Sequence, residues 1–277
     1  GDWSSDVCSS DLHKHAHDIS AAISLAARGY HVRVYERNAH VGGKLNLLVK
    51  EGFSFDLGPS ILTLPKIFER LFDIHNRKMA DYVSICSLEP QWRNFFEDGT
   101  TIDLFSSVEE TLKANAALGP DDQTELSRFM EYSKKLYEKV LPGYFREGFD
   151  TVWTMTWHHG LISSLKDFDL FRSMHTAVCS HVHNPYLQTI LCFFIKYVGS
   201  SPYDAPAVLN LLPYIQSRFG LWYVTGGMFH LAKALERLAR DVGIEIHAGK
   251  EVVRILAEGK KVQALQTKDG EIVPADI

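Results

Sequence analysis

The stretch that decides the fold is residues 31–59, which reads HVRVYERNAHVGGKLNLLVKEGFSFDLGP. Its first part alternates Val32, Val34 and Glu36, the pattern of a β-strand whose C-terminal end carries a carboxylate. In a dinucleotide-binding fold, such a carboxylate lies about 20 residues beyond a glycine-rich loop and binds the ribose hydroxyls. The pair Gly42-Gly43 and a second strand, which begins at Phe53, follow. The stretch therefore predicts a nucleotide-binding unit.

The segment just before this strand predicts the helix that such a unit needs. Residues 18–29 are mostly small, Asp18 is a good N-cap and Gly29 is a good stop. An alanine-rich helix packs closely against a sheet, as the first helix of a dinucleotide-binding unit must. Counted back from this helix, the three glycine positions of the motif G-x-G-x-x-G fall on His13, His15 and Asp18. The helix and the acidic strand end are present, but the phosphate-binding loop is not.

Composition limits the function classes. The chain has 277 residues, enough for one large or two intimate domains, and its formal net charge of -5 offers no basic field for nucleic acid. Its four cysteines lack any metal-ligand spacing, so we predict no metal site and reduced thiols in a cytosolic setting; they are Cys8, Cys86, Cys179 and Cys192. No apolar run is as long as the roughly 18 residues that a membrane-spanning helix needs, and the sequence shows no recognisable secretory signal.

Residues 1–17 do not read like the rest of the chain. A Ser-Ser-Asp element occurs twice, and the segment HKHAH follows at residues 13–17. Alternate histidines could share one face of a strand and bind a metal. The alternative, which we favour, is a non-native junction that resembles translated sequencing-adapter read-through. Because the chain also stops at Ile277 inside an expected strand, we expect a fragment that is cut at both ends.

The remaining chain alternates strand-rich and helix-rich blocks. Strands are expected at 82–88, 91–97 and 101–105, and residues 107–197 are mostly helical, with one helix at about 167–181. Gly226-Gly227, a helix at 228–242 and four short strands complete the pattern. We predict an α/β fold in which a Rossmann-like domain, residues 18–75 and 226–277, is split by a largely helical domain, residues 76–225, with some antiparallel strands.

These elements together resemble the bacterial-type phytoene desaturases, the carotenoid and dehydrosqualene desaturases of the FAD-dependent amine-oxidase-like superfamily. The resemblance covers about residues 19–277. It rests on four blocks, VRVYER with VGGK at 32–44, FDLGPS at 55–60, YVGSSPYDAP at 197–206 and GLWYVTGGM at 220–228. It implies a GR2-type flavoprotein in which the helical domain meets the substrate and the membrane.

The resemblance also implies where FAD is bound. The cofactor-binding positions are Glu36, Arg37, Gly42, Gly43, Lys44, Gly58, Pro59, Ser60, Gly226, Gly227 and Val252. Glu36 would bind the adenosine ribose, and Gly42-Gly43 would let the backbone approach the cofactor. Lys44 would stand near the phosphate and flavin side, and Val252 would meet adenine through its backbone.

The second glycine pair would line the flavin, and the helix N-terminus behind it would favour negative charge on reduced flavin or phosphate. Plain alternatives remain open: a turn at Gly42-Gly43, an unrelated loop at residues 58–60 and a buried strand valine at Val252. Because the phosphate-binding loop is missing, we expect the chain as written to bind FAD poorly or not at all and to be inactive.

The family's reaction removes two hydrogens across a CH2–CH2 bond of a polyisoprenoid, with oxygen or a quinone as the acceptor. No catalytic base is assigned, and the helical-block histidines are expected to be surface or satisfied residues; they are His158, His159, His175, His181 and His183. The substrate implies cytoplasmic localisation with peripheral binding to the inner face of the membrane. Interfacial helices are expected at 136–149 and 152–165, where Tyr144, Phe145, Phe149, Trp153 and Trp157 supply amphipathic rings.

Two rival functions follow from the same pattern. One is an amine oxidase or a retinol-saturase-like enzyme of the same superfamily. The other is a non-enzymatic isoprenoid-binding relative of the Rab GDP-dissociation-inhibitor type, which keeps the fold but has lost the flavin. The damaged loop favours this second rival, whereas Glu36 and the two glycine pairs argue against it.

Overall fold

The computed structural model describes residues 15–144, 169–259 and 261–275. The chain forms two compact units. The first unit comprises Gly1–Ser87 and Trp222–Ile277, and the second comprises Leu88–Leu221. Each unit has its own hydrophobic core, as expected for a chain of this length.

The described residues form eight α-helices and eleven strands. The helices are α1 (His15–Ala26), α2 (Pro65–Asp73), α3 (Val108–Ala114), α4 (Pro120–Tyr144), α5 (Met174–His181), α6 (Pro185–Phe193), α7 (Leu212–Phe219) and α8 (Phe229–Asp241). The strands are β1 (Arg33–Glu36), β2 (Leu47–Lys50), β3 (Phe53–Asp56), β4 (Ile85–Ser87), β5 (Trp92–Phe95), β6 (Thr101–Leu104), β7 (Trp222–Val224), β8 (Glu245–Ala248), β9 (Val252–Glu258), β10 (Lys261–Thr267) and β11 (Ile272–Pro274). Short 3-10 helices occur at Met79–Asp81, Phe194–Tyr197 and Ala207–Leu211.

The core of the first unit lies between two helices and a parallel strand pair. β1 pairs with β8 in parallel, with Glu36 opposite Ala248. Apolar residues recur along α8 at helical spacing, and Leu231, Leu235 and Leu238 are fully buried. They pack in one cluster with Ile23 of α1. The predicted α/β class is confirmed, because parallel strands with helices packed beside them define it.

Three antiparallel sheets complete the described part of the first unit. β2 and β3 form a hairpin, β9, β10 and β11 form a three-stranded sheet, and β4 pairs with β7. The last pairing joins Ser87 to Trp222 across the long intervening segment. For this reason the units divide after residues 87 and 221, whereas the sequence analysis placed the divisions after residues 75 and 225.

The described residues of the second unit form one hairpin and five α-helices. β5 and β6 are antiparallel, and Ile102 of β6 lies in one core cluster with Phe129 of α4 and Leu187 of α6. The helices begin at polar caps: the Ser107 side chain accepts from the backbone N–H of Glu110, and Asn184 accepts from Tyr186 and Leu187. No helix among the described residues is both long and apolar enough to cross a membrane.

Two predicted helix starts were wrong. α1 begins at His15 rather than after Asp18, so the Asp18 carboxylate lies in the first turn, where it still complements the helix dipole. The helix expected from about residue 167 begins at Met174, because Ser173 caps it through the N–H of Thr176. The expected interfacial segment 152–165 lies outside the described residues, as does 145–149.

Candidate functional site

The predicted ribose-binding carboxylate lies at the C-terminal end of β1. Glu36 is only 2% exposed, and its Oε1 accepts two hydrogen bonds of 2.7 Å, from the backbone N–H and from Nδ2 of Asn38. The backbone N–H of Lys250, just beyond β8, donates to the Glu36 carbonyl. Glu36 is therefore held at one position and orientation. The sequence analysis did not name Asn38, although an Asx residue two positions after the acid was a readable signal.

A cavity of about 280 Å³ lies beside this strand end. Its lining is entirely polar or glycine and comprises Arg37, Gly249, Lys250, Glu251, Lys268 and Asp269. Lys250 pairs with Asp269 at 2.5 Å and holds the pKa of that carboxyl at about 2, and Lys268 pairs with Glu251 at 2.8 Å. Val252 begins β9 directly after this lining. Of the predicted cofactor positions, Arg37 lines this charged pocket, and Val252 follows the lining residue Glu251 in the chain.

A second group of predicted residues gathers at the N-terminus of α8. Asp56, the last residue of β3, accepts hydrogen bonds from the backbone N–H groups of Met228 at 2.9 Å and Phe229 at 3.3 Å. Gly227 has a φ of +102°, and a Cβ there would lie 2.8 Å from the Asp56 Oδ2 atom. Glycine at this position therefore admits the capping carboxylate. The sequence analysis missed Asp56 as a site residue.

This cap leaves the N–H groups at this helix end engaged by the chain itself. The other first-turn amides are also occupied, because His230 donates to the Gly227 carbonyl at 3.1 Å and Leu231 to the Met228 carbonyl at 3.0 Å. The Asp56 carboxylate supplies the negative charge that a helix N-terminus favours. That this helix end binds negative charge on flavin or phosphate stays a prediction.

The first glycine pair and the loop at 58–60 lie near the same helix. Gly42 is buried at a φ of +124°, and a Cβ there would meet the Leu45 carbonyl at 2.6 Å and the Ala232 Cβ of α8 at 2.9 Å. A Cβ at Gly58 would lie 1.9 Å from the Lys44 carbonyl oxygen. These glycines permit close packing of the chain on itself. Gly43 is half-buried, and Lys44, Pro59 and Ser60 are exposed.

The described residues suit one part of FAD and not the other. The buried Glu36 with its adjoining cavity fits the adenosine part of FAD. The pyrophosphate part does not fit, because His15 and Asp18 belong to the first turn of α1, where the glycine-rich loop would have to approach phosphate. His13 lies outside the described residues. The residues present thus suit the adenosine part of the cofactor and not its pyrophosphate, and the assignment of these positions to FAD stays a prediction.

The helical-block histidines of the second unit have structural partners. His181 stacks on Tyr132 at 4.4 Å and lies 2.8 Å from the Ala177 carbonyl, and His183 pairs with Glu125 at 2.6 Å. His158 and His159 lie outside the described residues. Nothing in these contacts assigns a catalytic base.

Comparison with known proteins gives a family and close relatives. Residues 19–277 match the model of the flavin containing amine oxidoreductases. The chain is 50% identical over 259 residues to the 4,4'-diapolycopene oxygenase of Methylomonas sp, an alignment that covers 94% of this chain and 52% of that protein. It is 48% identical over 258 residues to the 4,4'-diaponeurosporene oxygenase of Staphylococcus aureus strain Mu50, covering 93% and 52%. The chain thus spans about half the length of the curated relatives it matches.

Solved structures share the fold. A putrescine oxidase bound to putrescine superposes with a TM-score of 0.61 at 15% identity, covering 92% of this chain and 54% of that one. The Rab GDI of Plasmodium falciparum superposes with a TM-score of 0.56 at 15% identity, covering 94% and 61%. Since one of these proteins is named as an oxidase and the other as a GDI, the fold alone does not choose between an enzyme and a binding protein.

Proposed function

The chain belongs to the family of flavin containing amine oxidoreductases, and from that premise we propose that it is part of an enzyme that oxidises a carotenoid-type polyisoprenoid with FAD. The predicted membership of the FAD-dependent amine-oxidase-like superfamily is confirmed, and FAD is the cofactor that this family indicates. The observation that carries the proposal is Glu36, which is buried at the end of β1 beside a polar cavity. The chain that contains it is 50% identical to a carotenoid oxygenase over 259 residues.

Bound FAD supplies the electron acceptor for the oxidation. The chain's own residues bind and orient the cofactor. The Glu36 carboxylate, fixed by Asn38, would accept hydrogen bonds from the ribose hydroxyls. Arg37 and the backbone leading to Val252 border the cavity that would receive the rest of the adenosine.

The remaining predicted positions form the other side of the proposed site. The site is lined there by backbone atoms of Gly42, Gly43, Lys44, the loop at 58–60 and Gly226-Gly227. Gly42 packs closely against Ala232, and Gly58 against Lys44. This packing supports the role, because it holds the backbone rigidly and leaves no room for a side chain at either glycine.

The substrate is a linear, apolar polyene, by analogy with relatives named for diapolycopene and diaponeurosporene. The names of both relatives favour an oxygenation. The desaturation of a CH2–CH2 bond, as in phytoene or dehydrosqualene desaturases, is the second candidate, which the YVGSSPY and WYVTGG blocks favour. Both reactions fit a flavoprotein that excludes water around an apolar chain.

The partners follow from this substrate. A polyene of this kind is insoluble in water, so the full-length protein collects it from the inner face of the cell membrane by peripheral binding. Oxygen or a quinone accepts the electrons. A charge of -5 makes nucleic acid an unsuitable partner.

The full-length gene tests the proposal in cells that accumulate either phytoene or a diapolycopene-type carotenoid. Mass spectrometry of the pigments separates a product that has gained oxygen from one that has lost two hydrogens. A flavin-loaded protein that leaves both pigments unchanged would refute the carotenoid assignment. A protein that binds the polyene but never flavin would support the non-enzymatic, GDI-like alternative.

A further inference from the structure

A groove in the second unit has an apolar wall, and a lysine that has no carboxylate partner among the described residues lies at its edge. Its volume is about 540 Å³, within the range of small-molecule sites. β5 and α6 supply most of the lining, including Trp92, Phe95 and Phe193. Phe95 is 76% exposed and Phe193 is 55% exposed, so rings that would normally be buried face solvent here.

The polar groups in this lining already have partners. Arg93 donates two hydrogen bonds of 2.8 Å to Asp103, and Asn94 Nδ2 donates to the Ile102 carbonyl at 2.9 Å. The Thr189 hydroxyl donates to a backbone carbonyl of its own helix at 2.9 Å. Burial raises the pKa of the Cys192 thiol to about 11, so this group is uncharged. The lining itself therefore offers an occupant apolar surface, and its one charged side chain, Arg93, is already paired with Asp103.

Lys196 brings a charge to the edge of this groove. Its Nζ lies 3.1 Å from the ring centroid of Trp92, 4.3 Å from that of Phe193 and 5.2 Å from that of Tyr197. Two of these rings, those of Trp92 and Phe193, also line the groove. Among the described residues, no carboxylate lies within 4.0 Å of this ammonium. Within the described part of the chain its charge is thus met by aromatic faces, which attract a cation but do not neutralise it.

Burial of this ammonium is costly without an anion. Desolvation lowers the pKa of Lys196 to about 8, the direction expected for a charge withdrawn from water and left unpaired. The aromatic faces favour the charged form and oppose part of this shift. An anionic group placed against Nζ would remove the remaining penalty, and the rings beside it would receive an apolar chain.

We propose that this groove binds a long-chain carboxylate, with its hydrocarbon chain along Phe95 and Phe193 and its carboxylate against Lys196. The site lies wholly within the second unit and does not depend on the proposed oxidation of a carotenoid. The chemistry required is an apolar chain with one anionic end, which distinguishes this ligand from a neutral polyene. A neutral chain of the same length gains the apolar contacts but not the ion pair.

Isothermal titration calorimetry of the full chain tests the proposal, with dodecanoate below its micellar concentration and dodecanol below its solubility limit. We expect dodecanoate to bind at least about tenfold more tightly than dodecanol, since one ion pair in a half-buried site is worth at least that factor. Equal affinity for the two ligands, or binding of neither, would overturn the proposal. This comparison needs no substitution and so does not depend on the folding of a variant.

Variants then locate the charge. Lys196→Met keeps the apolar stem, and we expect it to bind dodecanoate and dodecanol equally. Lys196→Arg should restore the preference for the carboxylate, because it restores the cation. Lys113→Met is the matched control, since it removes an exposed lysine that pairs with Glu109 on α3. Loss of the preference in Lys113→Met, or its survival in a folded Lys196→Met chain, would contradict the assignment to Lys196.

Discussion

The cap on α8 makes a quantitative prediction. Asp56 accepts hydrogen bonds from two backbone N–H groups at the N-terminus of this helix, and Gly227 leaves the space for it. Replacing a capping carboxylate by alanine costs about 0.5–2 kcal/mol, and loss of its charge near the helix N-terminus adds about 0.3–1 kcal/mol. We therefore expect Asp56→Ala to lower the free energy of unfolding of the first unit by about 2 kcal/mol.

Gly227→Ala should be destabilising for two reasons. Alanine at a φ of +102° is strained by about 1–3 kcal/mol, and its Cβ would lie 2.8 Å from the capping oxygen of Asp56. The carboxylate must then move and lose part of its bonding to the helix. In an Asp56→Ala background only the backbone strain remains. The double variant should therefore lose about 1 kcal/mol less than the sum of the two single variants.

Gly243→Ala provides the matched control. Gly243 has a φ of +86°, but a Cβ there would have no heavy atom within 4 Å. Its cost should therefore be backbone strain alone and should add to that of Asp56→Ala. Urea unfolding followed by circular dichroism gives the free energies, and hydrogen exchange of the Met228 and Phe229 amides reports the cap directly. A coupling below about 0.3 kcal/mol between Asp56 and Gly227 would refute the capping geometry.

Two further predictions concern single side chains. Glu36→Ala should lower the free energy of unfolding by about 1–3 kcal/mol, because Asn38 loses the acceptor of two hydrogen bonds. In urea unfolding, the exposed control Arg37→Ala should stay within about 0.5 kcal/mol of the parent. An equal loss in both variants would count against a specific role of the buried carboxylate. Burial raises the pKa of the Cys192 thiol to about 11, so at pH 8 roughly one thiol in a thousand should be a thiolate. Cys192 should therefore react far more slowly with a disulfide reagent than the exposed Cys86. Equal labelling rates in peptide mass spectrometry would contradict its burial.

Local pattern was enough to find the β1 strand and its carboxylate. The alternation that ends at Glu36 reflects a strand whose faces differ in burial, and the structure places this carboxyl in the interior. The blocks containing Gly42, Gly58 and Gly227 were also found, since a glycine in a required turn is visible in sequence. What these glycines accommodate was not visible. Their neighbours in space are other parts of the chain.

The features that sequence reasoning missed depend on distant contacts. Asp56 accepts hydrogen bonds from amides 172 and 173 residues away, and no periodicity connects β3 to α8 before folding. Lys196 likewise acquires its surroundings from Trp92, which belongs to a different element. Local competition explains the late start of α5: Asp169, at a φ of +49°, accepts from Tyr132 and Arg172, so its side chain supports a turn rather than a helix.

The most direct test of the cofactor assignment is an FAD titration of two versions of the chain. One is the chain as it stands, and the other carries glycine in place of His13, His15 and Asp18. Tryptophan-fluorescence quenching and flavin absorbance give the affinity of each. We predict that the glycine version binds FAD at least about tenfold more tightly, and that Glu36→Ala abolishes this gain. Equal affinity of the two versions, or a gain that survives Glu36→Ala, would contradict the assignment of this strand end to the adenosine half of a flavin site.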